Sequence, residues 1–138
     1  MEEGRLDYTL LFRRLSHITQ AQDDRSPVMA LLELPGCRNT PNLERNLHEW
    51  LDEWQQQLAQ REEGPASASQ RMLAANPAII PRNHRVAEAI AAAEGGDYSV
   101  FESLLMALSD PFKEHSEYLA YQQPPQPEEK VQRTFCGT

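Results

Sequence analysis

Proline and glycine cut this chain into pieces a few helical turns long, and that punctuation limits its fold more than any other feature. Ten prolines stand among 138 residues. A proline opens a helix readily but cannot continue one, because it lacks an amide donor and its ring meets the preceding turn. The run NPAIIPRNHRVAEAIAAAEGGDYSVFESLLMALSDPF, from Asn76 to Phe112, is the densest case. It holds two short helices between Asn76-Pro77, Pro81-Arg82-Asn83, Gly95-Gly96-Asp97 and Asp110-Pro111. No strand-like alternation and no internal repeat interrupts the helical spacing. The expected fold is all-α, an irregular helical bundle of about five to six helices with an extended C-terminal tail.

Helical periodicity places the elements. Tyr8, Leu11, Phe12, Leu15 and Ile18 form a stripe over residues 7–18, with Asp7 as its N-cap and Arg13, Arg14 and Ser16 off the stripe. Pro27 opens a short second helix through Val28, Met29, Leu31 and Leu32, which Pro35-Gly36 stops. Thr40-Pro41 then starts a helix of about five turns, striped by Leu43, Leu47, Trp50, Leu51, Trp54 and Leu58. Gly64-Pro65 breaks the chain, and Ser67 with Gln70 reads as a capping box for a helix ending at Asn76. Pro81 opens the next, with Val86, Ala87, Ile90 and Ala91 as its small-residue face. Ser99 and Glu102 read as a second capping box, before a helix striped by Phe101, Leu104, Leu105 and Leu108. Beyond Pro111 periodicity ends, and Pro124-Pro125-Gln126-Pro127 reads as extended chain. This divides the chain into a helical region, 1–112, and a tail, 113–138.

Charge and composition exclude several classes. A formal net charge of -8 argues against DNA, RNA or an anionic membrane as partner, since each is gripped by clustered Lys and Arg. No apolar run approaches the roughly 18 to 20 residues of a membrane span. Met1-Glu2-Glu3-Gly4 lacks a basic region followed by an apolar stretch, so no secretory leader is expected. Cys37 and Cys136 are too few for a disulfide framework and too far apart for a zinc-finger spacing, which points to a reducing compartment.

Catalytic signatures are absent from the sequence. It has no phosphate-cradling Gly-rich motif and no nucleophile elbow. His84-Arg85-Val86 lacks the Asp that would make it a kinase-type catalytic loop. Glu44 and His48 share a helix face without the second half of a di-metal motif. His17, His48, His84 and His115 share no ligating spacing and are expected to be surface or hydrogen-bonded structural residues. Trp50 and Trp54 share their stripe with Leu47, Leu51 and Leu58, which favours core packing over a base-stacking platform. For Arg82-Asn83 two readings stand: a grip on an anion at a helix N-terminus, or an arginine–carboxylate pair beside a residue serving local backbone. Cys136, third from the end, lies where a flexible tail could carry it to a second thiol; Cys37 is a weak candidate for that partner.

The quoted segments carry a resemblance. NPAIIPRNHRVAEAI, GGDYSVFESLLMALSDPF, Pro124 to Val131 and the closing Thr134-Phe135-Cys136-Gly137-Thr138 resemble the C-terminus of the selenoprotein O (SelO, also YdiU) family. Asp7 to Ser16 resembles the segment just beyond that family's kinase-like core. Residues 76–85 and 134–138 are the specific ones, whereas 20–70 is generic helix. Ile79 stands where an aromatic residue is common, and Lys113, His115 and Ser116 interrupt a usual Asp-Glu-Gln-Pro run.

The resemblance implies a protein-kinase-like parent that acts as a protein adenylyltransferase. Such proteins bind ATP in an inverted sense and, with Mg or Mn, transfer AMP to Ser, Thr or Tyr hydroxyls of protein substrates. Related bacterial members are also implicated in using UTP. The family's ATP- and metal-binding residues lie upstream and none falls on a position of this chain. The chain alone is therefore expected to be inactive, with no catalytic, cofactor-binding or metal residue of its own. Its implied partner is the missing kinase-like domain, in a bacterial cytoplasm, with no nucleic acid and no membrane. Cys136 matches a position that is selenocysteine in animal members and cysteine in many bacterial ones, where it pairs with a cysteine of the kinase-like domain as a redox control. The alternative is a free-standing helical interaction module without catalysis.

Overall fold

Asp7 starts the first helix as its side chain promised: Oδ1 accepts the Leu10 amide at 3.0 Å, and α1 runs Tyr8–Ile18. The computed structural model describes residues 4–19 and 26–131. Within them follow α2 (Pro27–Leu32), α3 (Pro41–Ala59), α4 (Gly64–Ala75), α5 (Asn83–Glu94), α6 (Ser99–Ala107) and the single turn α7 (Leu119–Gln122). Two 3-10 turns, Ser116–Tyr118 and Pro127–Glu129, complete the described chain, which contains no strand. The fold is all-α, with its six longer helices where the periodicity put them. The chain forms two compact units, one ending at Pro77 and one beginning at Ala78.

In the first unit, α1 packs on α2 and α4, while α3 packs on α2 and α4. Leu11 and Leu15 of α1, Val28, Leu31 and Leu32 of α2, and Leu43, Leu47 and Leu51 of α3 form its core. The α3 leucines recur every four residues and so bury one narrow stripe. Thr40 Oγ1 accepts the Leu43 amide at 3.1 Å and Pro41 occupies the first turn, as the sequence required. Helix α4 departs from expectation. It begins at Gly64-Pro65, and no side chain caps its start, so Ser67 lies inside the helix and closes no capping box.

Two polar residues off the α1 stripe prove structural. Ser16 is fully buried, and its carbonyl accepts the hydroxyl of the equally buried Ser69 at 2.6 Å. Side chains this small let α1 and α4 approach closely. Arg13 is buried beside them, and its Nη1 donates to the carbonyls of Leu73 (3.1 Å) and Asn76 (2.9 Å). Those carbonyls close α4, where unsatisfied acceptors and the negative end of the helix dipole favour a cation.

The second unit is built on α5 against α6. The chain entering α5 and the chain leaving α6 meet at one oxygen: the amides of Ala78 and Ile79 donate to the Pro111 carbonyl at 2.7 and 3.1 Å. Ala78, Ile79 and Ala107 form the small core, with Leu108, Tyr118 and Tyr121 packed against it. Between the helices, Gly96 adopts φ +87, which L-residues avoid, and the Asp97 amide returns to the Ala92 carbonyl at 2.9 Å. The α5 stripe read from sequence is displaced. Ala89 and His84 are the buried residues, whereas Ala87, Ile90 and Ala91 are exposed. At α6 the amide of Ser99 donates to Asp97 Oδ1 at 2.9 Å, and Ser99 and Glu102 form no capping box. Residues 113–131 are not simply extended, since three short turns shape them and Tyr118 and Tyr121 reach the core. Arg85 holds it there, donating to the Ala120 carbonyl (3.4 Å) and lying 6.0 Å from the Tyr121 ring centroid.

The first unit gives a direct test. Arg13→Ala removes hydrogen bonds from a charged donor and should lower unfolding free energy by about 2 kcal/mol in urea titration. Arg14→Ala, at an exposed position, should stay within about 0.5 kcal/mol of wild type. Equal effects of the two substitutions would contradict the capping role.

Candidate functional site

Pro81 sets up the start of α5, and Arg82 precedes the helix with extended backbone and no side-chain cap. Val86 donates to the Arg82 carbonyl at 3.0 Å, closing the first turn. The amides of Asn83, His84 and Arg85 lie ahead of any intrahelical acceptor, and together they make the positive end of the helix. Ile80, Pro81, Arg82, Asn83 and His84 form one wall of an open cavity of about 450 Å³. The other wall is the turn carrying Pro125, Glu129, Lys130 and Val131. Gln126 and Glu129 form a capping box that shapes that turn, with the Gln126 amide donating to Glu129 Oε2 at 2.8 Å.

His84 stands out at this cavity. It is 7% exposed, and neither ring nitrogen has a hydrogen-bond partner. This corrects the expectation of a surface or hydrogen-bonded histidine. Burial pushes its pKa below the ordinary imidazole value, and the neighbouring Arg85 adds to that effect. Arg82 lowers it further, while Glu129 and Glu88 act in the opposite direction. A neutral imidazole still carries one N–H, and an unsatisfied buried donor costs about 1–3 kcal/mol. Sequence alone pointed to Arg82 and Asn83; the contributions of His84 and Lys130 depend on how residues 125–131 fold back.

The other sequence candidates separate. Trp50 is 42% exposed, which overturns its assignment to the core, and it stacks on the half-buried Trp54 with centroids 5.9 Å apart. Leu6, Leu11, Phe12, Leu43, Asn46, Leu47 and Trp50 line a groove of about 490 Å³ in the first unit. In the second unit Ile90, Tyr98, Phe101, Leu105 and Met106 are exposed, although α6 is apolar over most of its length. Cys37 is half-buried against the leucine core, and burial raises its thiol pKa, so it is not poised as a thiolate. Cys136 lies outside the described residues. His17 and His48 are exposed, while His115 Nε2 sits 3.8 Å from Asp110 Oδ2. Among the described residues no group of three or more His, Cys, Asp or Glu could hold a metal ion, and no helix is long and apolar enough to cross a membrane.

These features define the class first: an all-α helical segment that turns apolar faces outward and has a cavity lined by Arg82 and Lys130 at the start of α5. Comparison with known proteins then gives the lineage. The sequence model described as Protein adenylyltransferase SelO matches residues 1–109. A Bradyrhizobium sp. (strain BTAi1) protein named Protein nucleotidyltransferase YdiU is 44% identical over the whole of this chain. Proteins of the same name from Rhizobium rhizogenes and Rhizobium meliloti are 38% and 39% identical, again over the whole chain. The chain spans 26% of the length of each of these relatives. It belongs to the SelO/YdiU family.

The depressed His84 pKa has a signed consequence. Below the ordinary imidazole pKa the unfolded chain binds a proton that the folded chain resists, so stability falls as pH drops beneath about 6.5 and is insensitive to His84 above it. Thermal unfolding should therefore lose more between pH 7 and pH 5 in wild type than in His84→Asn. A nuclear magnetic resonance titration should place the His84 midpoint below about 6.5; a midpoint above it would contradict the burial.

Proposed function

We propose that this chain is the C-terminal helical region of a SelO-type protein adenylyltransferase, and that its own role is to buttress the kinase-like domain. In this reading the preceding three-quarters of the protein binds ATP with Mg or Mn and transfers AMP to Ser, Thr or Tyr hydroxyls of protein substrates. The chain by itself binds no nucleotide in the catalytic sense and is inactive. Its setting is the bacterial cytoplasm, and neither nucleic acid nor membrane is a partner.

One observation carries the reading. Phe101, Leu105 and Met106 are half or more exposed on a helix of nine residues, in a chain that spans 26% of its relatives. Large side chains of this kind on a well-formed helix are suited to a protein interface. The Trp50–Trp54 stack and the groove beside it offer a second apolar face, on the first unit. Both faces would equally serve a free-standing interaction module, so the test must separate the two.

Cys136 completes the proposal as a redox control. Its thiol exchanges with an oxidised small-molecule disulfide and then with a cysteine thiol of the kinase-like domain, leaving an intramolecular disulfide and releasing the small thiols. The matching Thr-Phe-Cys-Gly-Thr ending supports this role.

Co-expression with the preceding part of the Bradyrhizobium relative supplies the test. The two pieces should co-purify one to one and label protein with AMP, whereas this chain alone should give no label. If they stay apart, and the upstream piece labels equally well without this chain, the buttressing role is wrong. In the joined protein, Cys136→Ser should abolish the mobility change between oxidised and reduced samples on a non-reducing gel. An unaltered change would remove Cys136 from the account.

A further inference from the structure

We propose that the outward face of α6 takes an apolar surface flanked by lysine or arginine side chains, supplied by the preceding part of a SelO-type protein. This rests on the buttressing role and names the chemistry of what covers that face. Phe101, Leu105 and Met106 are each half or more exposed, and Glu102 stands among them. It precedes Leu105 by three residues and Met106 by four, so the three share one side of the helix. Covering that side brings the Glu102 carboxylate out of water. An ionised carboxylate desolvated without a partner is strongly unfavourable, so the covering surface must bring a cation.

The charge around this face has one sign. From Val86 to Phe112 the chain carries Glu88, Glu94, Asp97, Glu102 and Asp110, and no lysine or arginine. Glu88 is paired with Arg85, and Asp110 faces His115. Glu94, Asp97 and Glu102 are exposed, and among the described residues none of the three is paired with a cation. Two of them serve their own surroundings. Asp97 Oδ1 accepts the Ser99 amide at 2.9 Å, and Glu102 lies in the first turn of α6, where the helix dipole favours an acid. Glu94 does the reverse. It is the last residue of α5, beside the Gly95-Gly96 turn that leads into α6, and the negative end of the dipole disfavours a carboxylate there. A charge that opposes its own helix is accounted for by a contact beyond it. A second copy of this chain would set like charges against one another, and an anionic membrane would be repelled, which leaves a basic protein surface.

The test joins the 138-residue chain to the preceding part of the Bradyrhizobium relative and follows hydroxyl-radical oxidation of Phe101 and Met106. Glu94→Lys should raise their oxidation about two- to fivefold and Glu94→Gln less, while Glu94→Lys combined with Glu102→Lys should bring it to the level of the isolated chain. Lysine suits the end of α5, so in the isolated chain Glu94→Lys should keep or raise the thermal unfolding midpoint, which separates lost docking from lost fold. Protection that is present in the joined wild type and unchanged in both lysine variants leaves the apolar docking in place and overturns the basic partner. Equal oxidation of the joined and isolated wild-type chains overturns the buttressing role, and the basic partner with it. Protection of the isolated chain that grows with its own concentration assigns a second copy to this face and also overturns the basic partner.

Discussion

The helices of this chain carry more apolar side chain than their own short core can cover, and most of what is distinctive about the structure follows from that mismatch. Helix α6 shows it most clearly. It offers Val100, Phe101, Leu104, Leu105, Met106 and Ala107, but buries only Leu104 and Ala107. Helices of nine to twelve residues are marginal in isolation and owe their stability to packing. Here α5 and α6 pack on each other and on a core of alanine, isoleucine and tyrosine, leaving the larger residues outward. In the first unit the leucines of α1, α2 and α3 are better enclosed, yet Tyr8 and Trp50 remain exposed.

A few polar contacts hold the helices in place while this surface stays open. Arg13 ties the end of α4 to α1, and the Ser16–Ser69 contact sets how closely those helices approach. In the second unit the Pro111 carbonyl takes two amides and so joins the beginning of the punctuated segment to its end. Such bonds are each worth about 0.5–3 kcal/mol, which is a large share of a small unit's stability. They hold the helices within each unit without requiring the apolar faces to be covered.

Much of this was legible in the residues. Asp7, Thr40 and Pro41 named their helix starts correctly, because a cap is a local interaction between a side chain and amides three residues away. The Gly-Gly-Asp turn was equally plain. What misled was the assumption that apolar means buried. Ile90 and Trp50 lie on good helical stripes, but a stripe names a face without naming its neighbour. Arg13 was invisible for the complementary reason: its partners, the carbonyls of Leu73 and Asn76, lie 60 and 63 residues away. Ser67 and Ser99 looked like caps because the pattern is short and common, while Gly64-Pro65 and Asp97 started those helices instead. At the α5 cavity, Arg82 and Asn83 could be nominated from the helix-start pattern alone. His84 could not, since its isolation is a property of the fold.

The relatives this chain matches over its whole length are about four times as long. In the proposed buttressing role, the outward face of α6 is covered by the preceding part of a SelO-type protein. Hydroxyl-radical footprinting of Tyr98, Phe101 and Met106 measures this directly, comparing the isolated chain with the same chain joined to the preceding part of a relative. The account predicts strong oxidation of all three in isolation and protection once joined, while exposed Tyr8 in the first unit reports separately on that unit's own docking. Equal oxidation of Tyr98, Phe101 and Met106 in both forms would contradict it.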